Sequence, residues 1–183
     1  MVVLERGTRL ANIGSAQDLA GWASYVLLVE VTGETERNAS PHGPGEELVG
    51  RDVAVLVEEV VWAHPAAVTD VNTGEPLTIC TFPGYVRAGG QLTPAVEEGD
   101  TRLEVGGDYV VVMADDLDLE GGQILTLLDG FAAGDDPPTL SDGTPLEATA
   151  LAQDDQLDAA TDGNGPRPGE SLVERLERHA EGE

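Results

Sequence analysis

In the stretch Asp52-Val53-Ala54-Val55-Leu56-Val57-Glu58-Glu59-Val60-Val61-Trp62-Ala63, the bulky apolar side chains first recur at every second position, Val53, Val55 and Val57. That is the period of a β-strand with one buried face. After Glu58 and Glu59 the phase changes, and Val60 and Trp62 fall on the opposite parity. A β-bulge at the glutamate pair would return both sets to one side, as a strand bending around a small barrel requires. A long strand that reaches two sheets is the rival reading.

Working outward, four more segments read as strands: Tyr25 to Val31, Pro76 to Phe82, Tyr109 to Ala114 and Gln123 to Leu128. Valine supplies much of their apolar content, and a β-branched side chain suits a pleated surface better than a helix. Pro83 and Gly84 close the segment begun at Pro76, Gly106 and Gly107 make a turn before Tyr109, and Asp115 to Gly122 is an acidic hairpin connection. Gly33 to Gly50, containing Pro41, Gly43, Pro44 and Gly45, reads as a polar loop, and the chain from Gly84 to Gly106 as a further loop with a turn at Gly89-Gly90. Ser15 is placed to cap a short helix ending near Ala23, with Asp18 in its first turn and Leu19 and Trp22 on one face. The expected fold is mainly β: a small five-stranded OB-like barrel or sandwich with one short N-terminal helix and an acidic, partly helical C-terminal extension.

The boundary of that extension is set by composition. Residues 1–134 read as the β-barrel domain, and residues 135–183 as an acidic, alanine-rich extension with short helices near 145–160 and 172–181. Thr144-Pro145-Leu146-Glu147 and Ser171 with Glu174 have the form of capping boxes, and Glu174 and Arg178 stand at i, i+4.

The chain of 183 residues has 35 acidic residues against nine basic ones, all arginine, for a formal charge of -26. Such a surface repels phosphate backbones and anionic membranes, so direct nucleic-acid and membrane partners are not expected. Acidity with arginine in place of lysine suits a GC-rich genome or a salt-adapted cytoplasm, and screening of self-repulsion predicts a melting temperature that rises with NaCl. The N-terminal run Met1-Val2-Val3-Leu4-Glu5-Arg6 has no secretory leader pattern, and no apolar stretch nears the roughly 20 residues that span a bilayer. A cytoplasmic setting is expected, and Cys80, the single cysteine, fits a reducing compartment.

The runs Ala16-Gln17-Asp18-Leu19-Ala20, Tyr25-Val26-Leu27-Leu28-Val29, Val55 to Trp62 and Arg102-Leu103-Glu104-Val105-Gly106-Gly107-Asp108-Tyr109 resemble a family of small actinobacterial OB-like β-barrel proteins, some likened to tissue inhibitors of metalloproteinases. The resemblance covers roughly Ser15 to Gly130. It implies a fold and transfers no catalytic residues.

Asp116, Asp118, Glu120 and Gly121 reproduce the opening of a calcium loop, in which oxygen ligands at alternate positions converge. The twelfth position is Leu127, where that loop needs a bidentate carboxylate, so calcium is a weak expectation, with Asp115 and Asp129 as the only nearby compensation. Cys80 near His64 suggests a nucleophile and base, but strand alternation reads Cys80 as a small buried hydrophobe. Paired Glu58-Glu59 point to opposite faces of a strand, and Gly-Gly pairs lack the lysine and helix of a phosphate loop. Trp22 and Trp62 read as core. No catalytic constellation and no cofactor site emerges.

The expected function is therefore a non-enzymatic protein-interaction or assembly module, binding a protein partner or a second copy through Leu172, Val173 and Leu176 of the terminal helix. Two alternatives stand beside it: an acidic inhibitor that imitates nucleic acid in the cleft of a basic protein, and a weak calcium-binding β protein.

Overall fold

The computed structural model describes residues 3–5, 13–97, 100–117, 123–134, 136–147, Glu174 and Arg178. The elements with bounds among the described residues are β1 (Val3–Glu5), α1 (Ala16–Trp22), β2 (Tyr25–Gly43), β3 (Glu46–Ala63), β4 (Pro76–Ala88), β5 (Gln91–Glu97), β6 (Asp108–Leu117) and β7 (Gln123–Ala132). They form one sheet in the order β1-β5-β4-β3-β2-β6-β7, in which only the β1–β5 contact is parallel. The six antiparallel strands curl into a half-barrel that brings β7 round toward β4. The mainly β expectation holds, and the described residues include seven strands where five are expected.

The bulge at the glutamate pair is present. Val29 pairs with Val57 and Leu28 with Glu59, so Glu58 is the extra residue, and Val60 joins Val53, Val55 and Val57 in the barrel interior. A second shift follows, with Leu27 opposite Val60 and Val26 opposite Trp62. This skip at Val61 sends Val61 and Trp62 to the opposite face of the sheet. One long strand thus serves two cores on opposite faces of one sheet: the bulge is present, it carries only Val60 to the interior and not Trp62, and the strand does not reach a second sheet.

Those two cores lie on opposite faces of the sheet. Leu27, Val29, Val31, Ile79, Val111 and Met113 fill the concave interior. On the outer face, Val26, Val110 and Val112 are covered by Ala16, Leu19 and Ala20 of α1 and by Leu140 and Leu146. The alternation of β2 and β6 supplies both faces, which explains their nearly unbroken apolar sequence. Ser15 caps α1 as expected: its Oγ accepts from the Asp18 N–H at 3.1 Å and donates to Asp18 Oδ2 at 2.8 Å. Trp22 and Trp62 are both packed on this outer core.

Three segments differ from the sequence reading. Gly33 to Gly50 is a protruding hairpin arm of β2 and β3 turning at Pro44-Gly45, where Gly45 has φ +78. Its β2 strand is exposed from Glu34 to His42 and is held by its ladder and by the ion pair of Glu36 with Arg87 of β4, so no apolar period marks it. β4 runs on past Pro83-Gly84 to Ala88 and turns into β5 through Gly89 and Gly90, both with positive φ, the geometry of a type I′ hairpin. Residues 136–147, the start of the expected extension, pack on the outer core; Pro145 pairs with Thr139 in a β-bridge, so Thr144 does not open a helix there. Glu174 and Arg178 are helical, while the remainder of the expected helices lies outside the described residues.

Candidate functional site

The half-barrel leaves a seam. Among the described residues, Pro76–Thr81 of β4 pair only with β3, and β7 pairs only with β6, so two strand edges face each other without a shared ladder. Between them opens a cavity of about 270 Å³, walled by Thr81, Phe82 and Pro83 on one side, Thr126 and Leu127 on the other, and floored by Arg51 and Leu103.

Arg51 is the organising side chain of that floor. Among the described residues it is the largest fully buried side chain, on a residue 1% exposed. Its Nε donates to Thr81 Oγ1 at 3.1 Å, its Nη1 to the Glu34 carboxylate and its Nη2 to the Leu103 carbonyl. A guanidinium presents several donors in a rigid plane, so one buried residue ties β2, β3, β4 and the loop before β6 together. Gly84 makes room for it: a Cβ there would stand 2.7 Å from Arg51 Cγ and 2.9 Å from its Cβ.

Arg102 lies beside it, its side chain 7% exposed. It donates to Glu104 Oε1 at 2.8 Å and to the carbonyls of Gly84 and Ala95, and it stacks 4.9 Å from the Tyr85 ring centroid. Glu34 completes the cluster by accepting from the Tyr85 hydroxyl at 2.5 Å. Burial pushes the Glu34 carboxyl up, but hydrogen bonds from Tyr85 and Arg51 and the charges of Arg51 and Arg102 outweigh it and hold its pKa below the ordinary value. Tyr85 moves the other way, raised by burial and by its bond to Glu34, so it remains a phenol donor at neutral pH.

The opposite end of the interior is closed by Asp115. This side chain, on a residue 2% exposed, accepts the Val68 and Thr69 N–H groups at 2.9 and 3.1 Å and so pins the loop after β3. Burial and the nearby Asp115 and Asp70 charges raise the pKa of Tyr25, whose hydroxyl donates to the Thr69 carbonyl.

Asp115 is thus a loop clamp, and Asp129 accepts from the Gly130 N–H at 2.8 Å. Of the calcium candidates, Asp116 sits in β6 within 3.5 Å of Thr126 Oγ1; Asp118 and Glu120 lie outside the described residues. Among the described residues no group of His, Cys, Asp or Glu is gathered to hold a metal ion. Leu172, Val173 and Leu176 also lie outside the described residues.

Cys80 corrects the alternation reading: Ile79 faces the core and Cys80 is exposed, with Sγ 3.3 Å from Asp52 Oδ1. Burial of the sulfur and its bond to Asp52 raise the thiol pKa against the opposing charge of Arg37, which keeps it protonated. His64 is buried and its Nδ1 accepts the Ala66 N–H at 3.0 Å, so it shapes a turn. On the hairpin arm, Arg87 bridges Glu36 and Glu47, and Arg37 pairs with Asp52, so these carboxylates alternate with cations instead of forming an uninterrupted acidic row.

Fold and site together define a β protein of the curled half-barrel type with a cleft at the seam between β4 and β7. Comparison with family models, with curated proteins and with solved structures finds no match to this chain. Among the described residues, no helix is long and apolar enough to cross a membrane.

Proposed function

We propose that this chain is a non-enzymatic protein-interaction module that takes up an extended segment of a partner at the seam between β4 and β7. The observation that carries this is the pair of strand edges that, among the described residues, share no ladder and face one another across a cavity lined by both apolar and polar side chains. An open edge is a template for another strand: main-chain hydrogen bonds give affinity, and side-chain pockets on alternate positions give selectivity. Phe82, 52% exposed, stands at the rim as an apolar contact for the incoming segment. The floor suits this role because the Arg51 and Arg102 guanidiniums are turned to Glu34, Thr81, Glu104 and backbone carbonyls, which makes a rigid base.

The OB-like likeness belongs to the same proposal. A β2-β3-β4 meander, a return from β2 to β6, and β7 brought back toward β4 follow the order of a small partly open OB barrel, a scaffold that binds ligands across its strands and loops. Leu172, Val173 and Leu176 serve in this reading as a second contact for the same partner, beyond the seam.

Hydrogen exchange on the protein with a peptide selected from a random display library tests the proposal. Bound peptide is expected to slow exchange of the amides of Thr78 to Phe82 and Leu125 to Gly130. Selected peptides that leave both edges unprotected would refute a seam-binding module.

A further inference from the structure

What the seam would accept is specified by the neutrality of its two edges, and the inference rests on the seam-binding reading above. In a chain of net charge -26, no charged residue occurs from Pro76 to Val86 on β4 or from Ile124 to Leu128 on β7. Facing the interior are Leu77 and Ile79 of β4 and Leu125 and Leu127 of β7. On the outer side β4 presents Thr78, Cys80 and Phe82, all exposed, and β7 presents Ile124 and Thr126. The carboxylates around the seam are already engaged: Asp52 by Arg37, Asp116 by the Thr126 hydroxyl, Asp129 by the Gly130 N–H, and Asp100 by a partner of its own.

The chain treats its other long open edge differently. Beyond Val31, β2 pairs only with β3 among the described residues, and there it carries Glu36, Arg37 and Pro41 and is broken by register shifts after Val31, Glu36 and Pro41. Charge, proline and bulges are the devices that keep an edge from taking up another strand. The β4 edge from Leu77 to Thr81 has none of them, and its register with β3 is unbroken. A charged side chain directed inward there would meet leucines and an Arg51 already engaged by Glu34, and one directed outward would find neutral cross-strand neighbours. A second copy of this chain is a poor occupant, because it would bring a second charge of -26. We infer that the seam takes up an extended protein segment of uncharged side chains in which branched apolar residues alternate with threonine or serine. The apolar positions fill the cavity beside Leu103 and Leu127, and the hydroxyl positions pair with Thr78 and Thr126 on the outer side.

Fluorescence anisotropy on the full chain, with labelled synthetic peptides of about six residues, tests this. In the three probes Val alternates with Thr, Lys or Glu, each on a neutral solubilising tail, at about 50 mM and about 500 mM NaCl. At the higher salt, where the general acidic field is screened, the Thr peptide is expected to bind roughly tenfold more tightly than either charged one, through a few matched outer pairs. Its affinity is expected to change less than about twofold between the two salts. Leu127→Trp, at a residue that lines the cavity from the interior side, is expected to abolish its binding. Thr78→Lys, at an exposed position of the β4 edge, is expected to shift the preference to the Glu peptide, and it decides the matter should Leu127→Trp fail to fold. Equal binding of all three peptides at the higher salt, or tighter binding of the Lys peptide, lost in Leu127→Trp, would overturn the neutral segment and leave the seam module standing. Thr-peptide binding untouched by both variants would place it elsewhere on the chain and overturn the inference. Binding of none of the three would overturn both the inference and the seam module.

Discussion

Gly84→Ala is the sharpest test of the cleft floor. The added methyl would lie 2.7, 2.9 and 3.0 Å from Arg51 Cγ, Cβ and Cδ, and these are the stem of a fully buried side chain, not its mobile tip. Ordinary contact requires a retreat of roughly 0.7 Å, and the steep repulsive wall makes a shift of that size unavoidable. Overpacking of this kind costs about 1–3 kcal/mol. The retreat also carries the guanidinium away from Thr81, Glu34 and the Leu103 carbonyl, and one weakened charge-assisted hydrogen bond adds about 1 kcal/mol. A total near 3 kcal/mol corresponds to a fall in Tm of roughly 6–12 °C for a domain of this size. Thermal unfolding followed by circular dichroism reads it directly. Arg51→Met, which frees the clashing stem from the guanidinium bonds to Thr81, Glu34 and Leu103 and so lets it give way, should shrink the further effect of Gly84→Ala by about half in a double-mutant cycle. A Tm unchanged by Gly84→Ala within about 1 °C would refute the close approach and the role given to Arg51.

Glu34 is held below its ordinary pKa by its partners once burial is overcome, so its contribution to stability is present above the unfolded carboxylate value near 4.3 and is lost as pH falls through the lower folded value. Glu34→Gln is expected to flatten that acid limb in a pH series of urea melts, while leaving the limb unchanged would argue against the cluster. Asp115→Ala removes two acceptors of buried amides and should cost about 2–4 kcal/mol; hydrogen exchange is expected to accelerate at Val68 and Thr69 ahead of the rest of the chain. Cys80, exposed yet with its thiol pKa raised by burial of the sulfur and by Asp52, should react with iodoacetamide at pH 7 more slowly than a free cysteine. Asp52→Asn should speed that reaction, and no change would remove Asp52 as a cause.

The strands that sequence made legible are those with a buried face. Val53, Val55, Val57 and the Glu58-Glu59 break announced both a strand and its bulge, because burial imposes a period of two and a bulge is visible as a slip in it. The hairpin arm carried no such mark: from Glu34 to His42 every residue is exposed, and ladder hydrogen bonds leave no trace in side-chain chemistry. β5 was hidden by Pro94, tolerated because β5 is short and near the sheet edge. The cleft floor was out of reach for a different reason. Arg51, Glu34, Tyr85 and Arg102 meet across four separate segments, and only the fold supplies their register. One local signal did exist. Gly84 within a strand marks a close backbone approach, although beside Pro83 it reads in sequence as a strand end.

The segments flanking the sheet also meet each other. The Asp142 N–H donates to the Gly14 carbonyl at 3.0 Å, the Ala16 N–H reaches Asp142 Oδ2 at 3.4 Å, and Leu140 and Leu146 lie with Ile13 in one cluster. The packed body is therefore a loop whose two ends are already fastened, which places its natural opening elsewhere, at the exposed Gly89-Gly90 tip. A permuted chain that begins at Gln91 and runs through a short joint from Glu147 to Ile13 would keep both cores whole. A chain cut after Gly134 would instead strip the cover from Val26, Val110 and Val112 and expose a greasy sheet face to water.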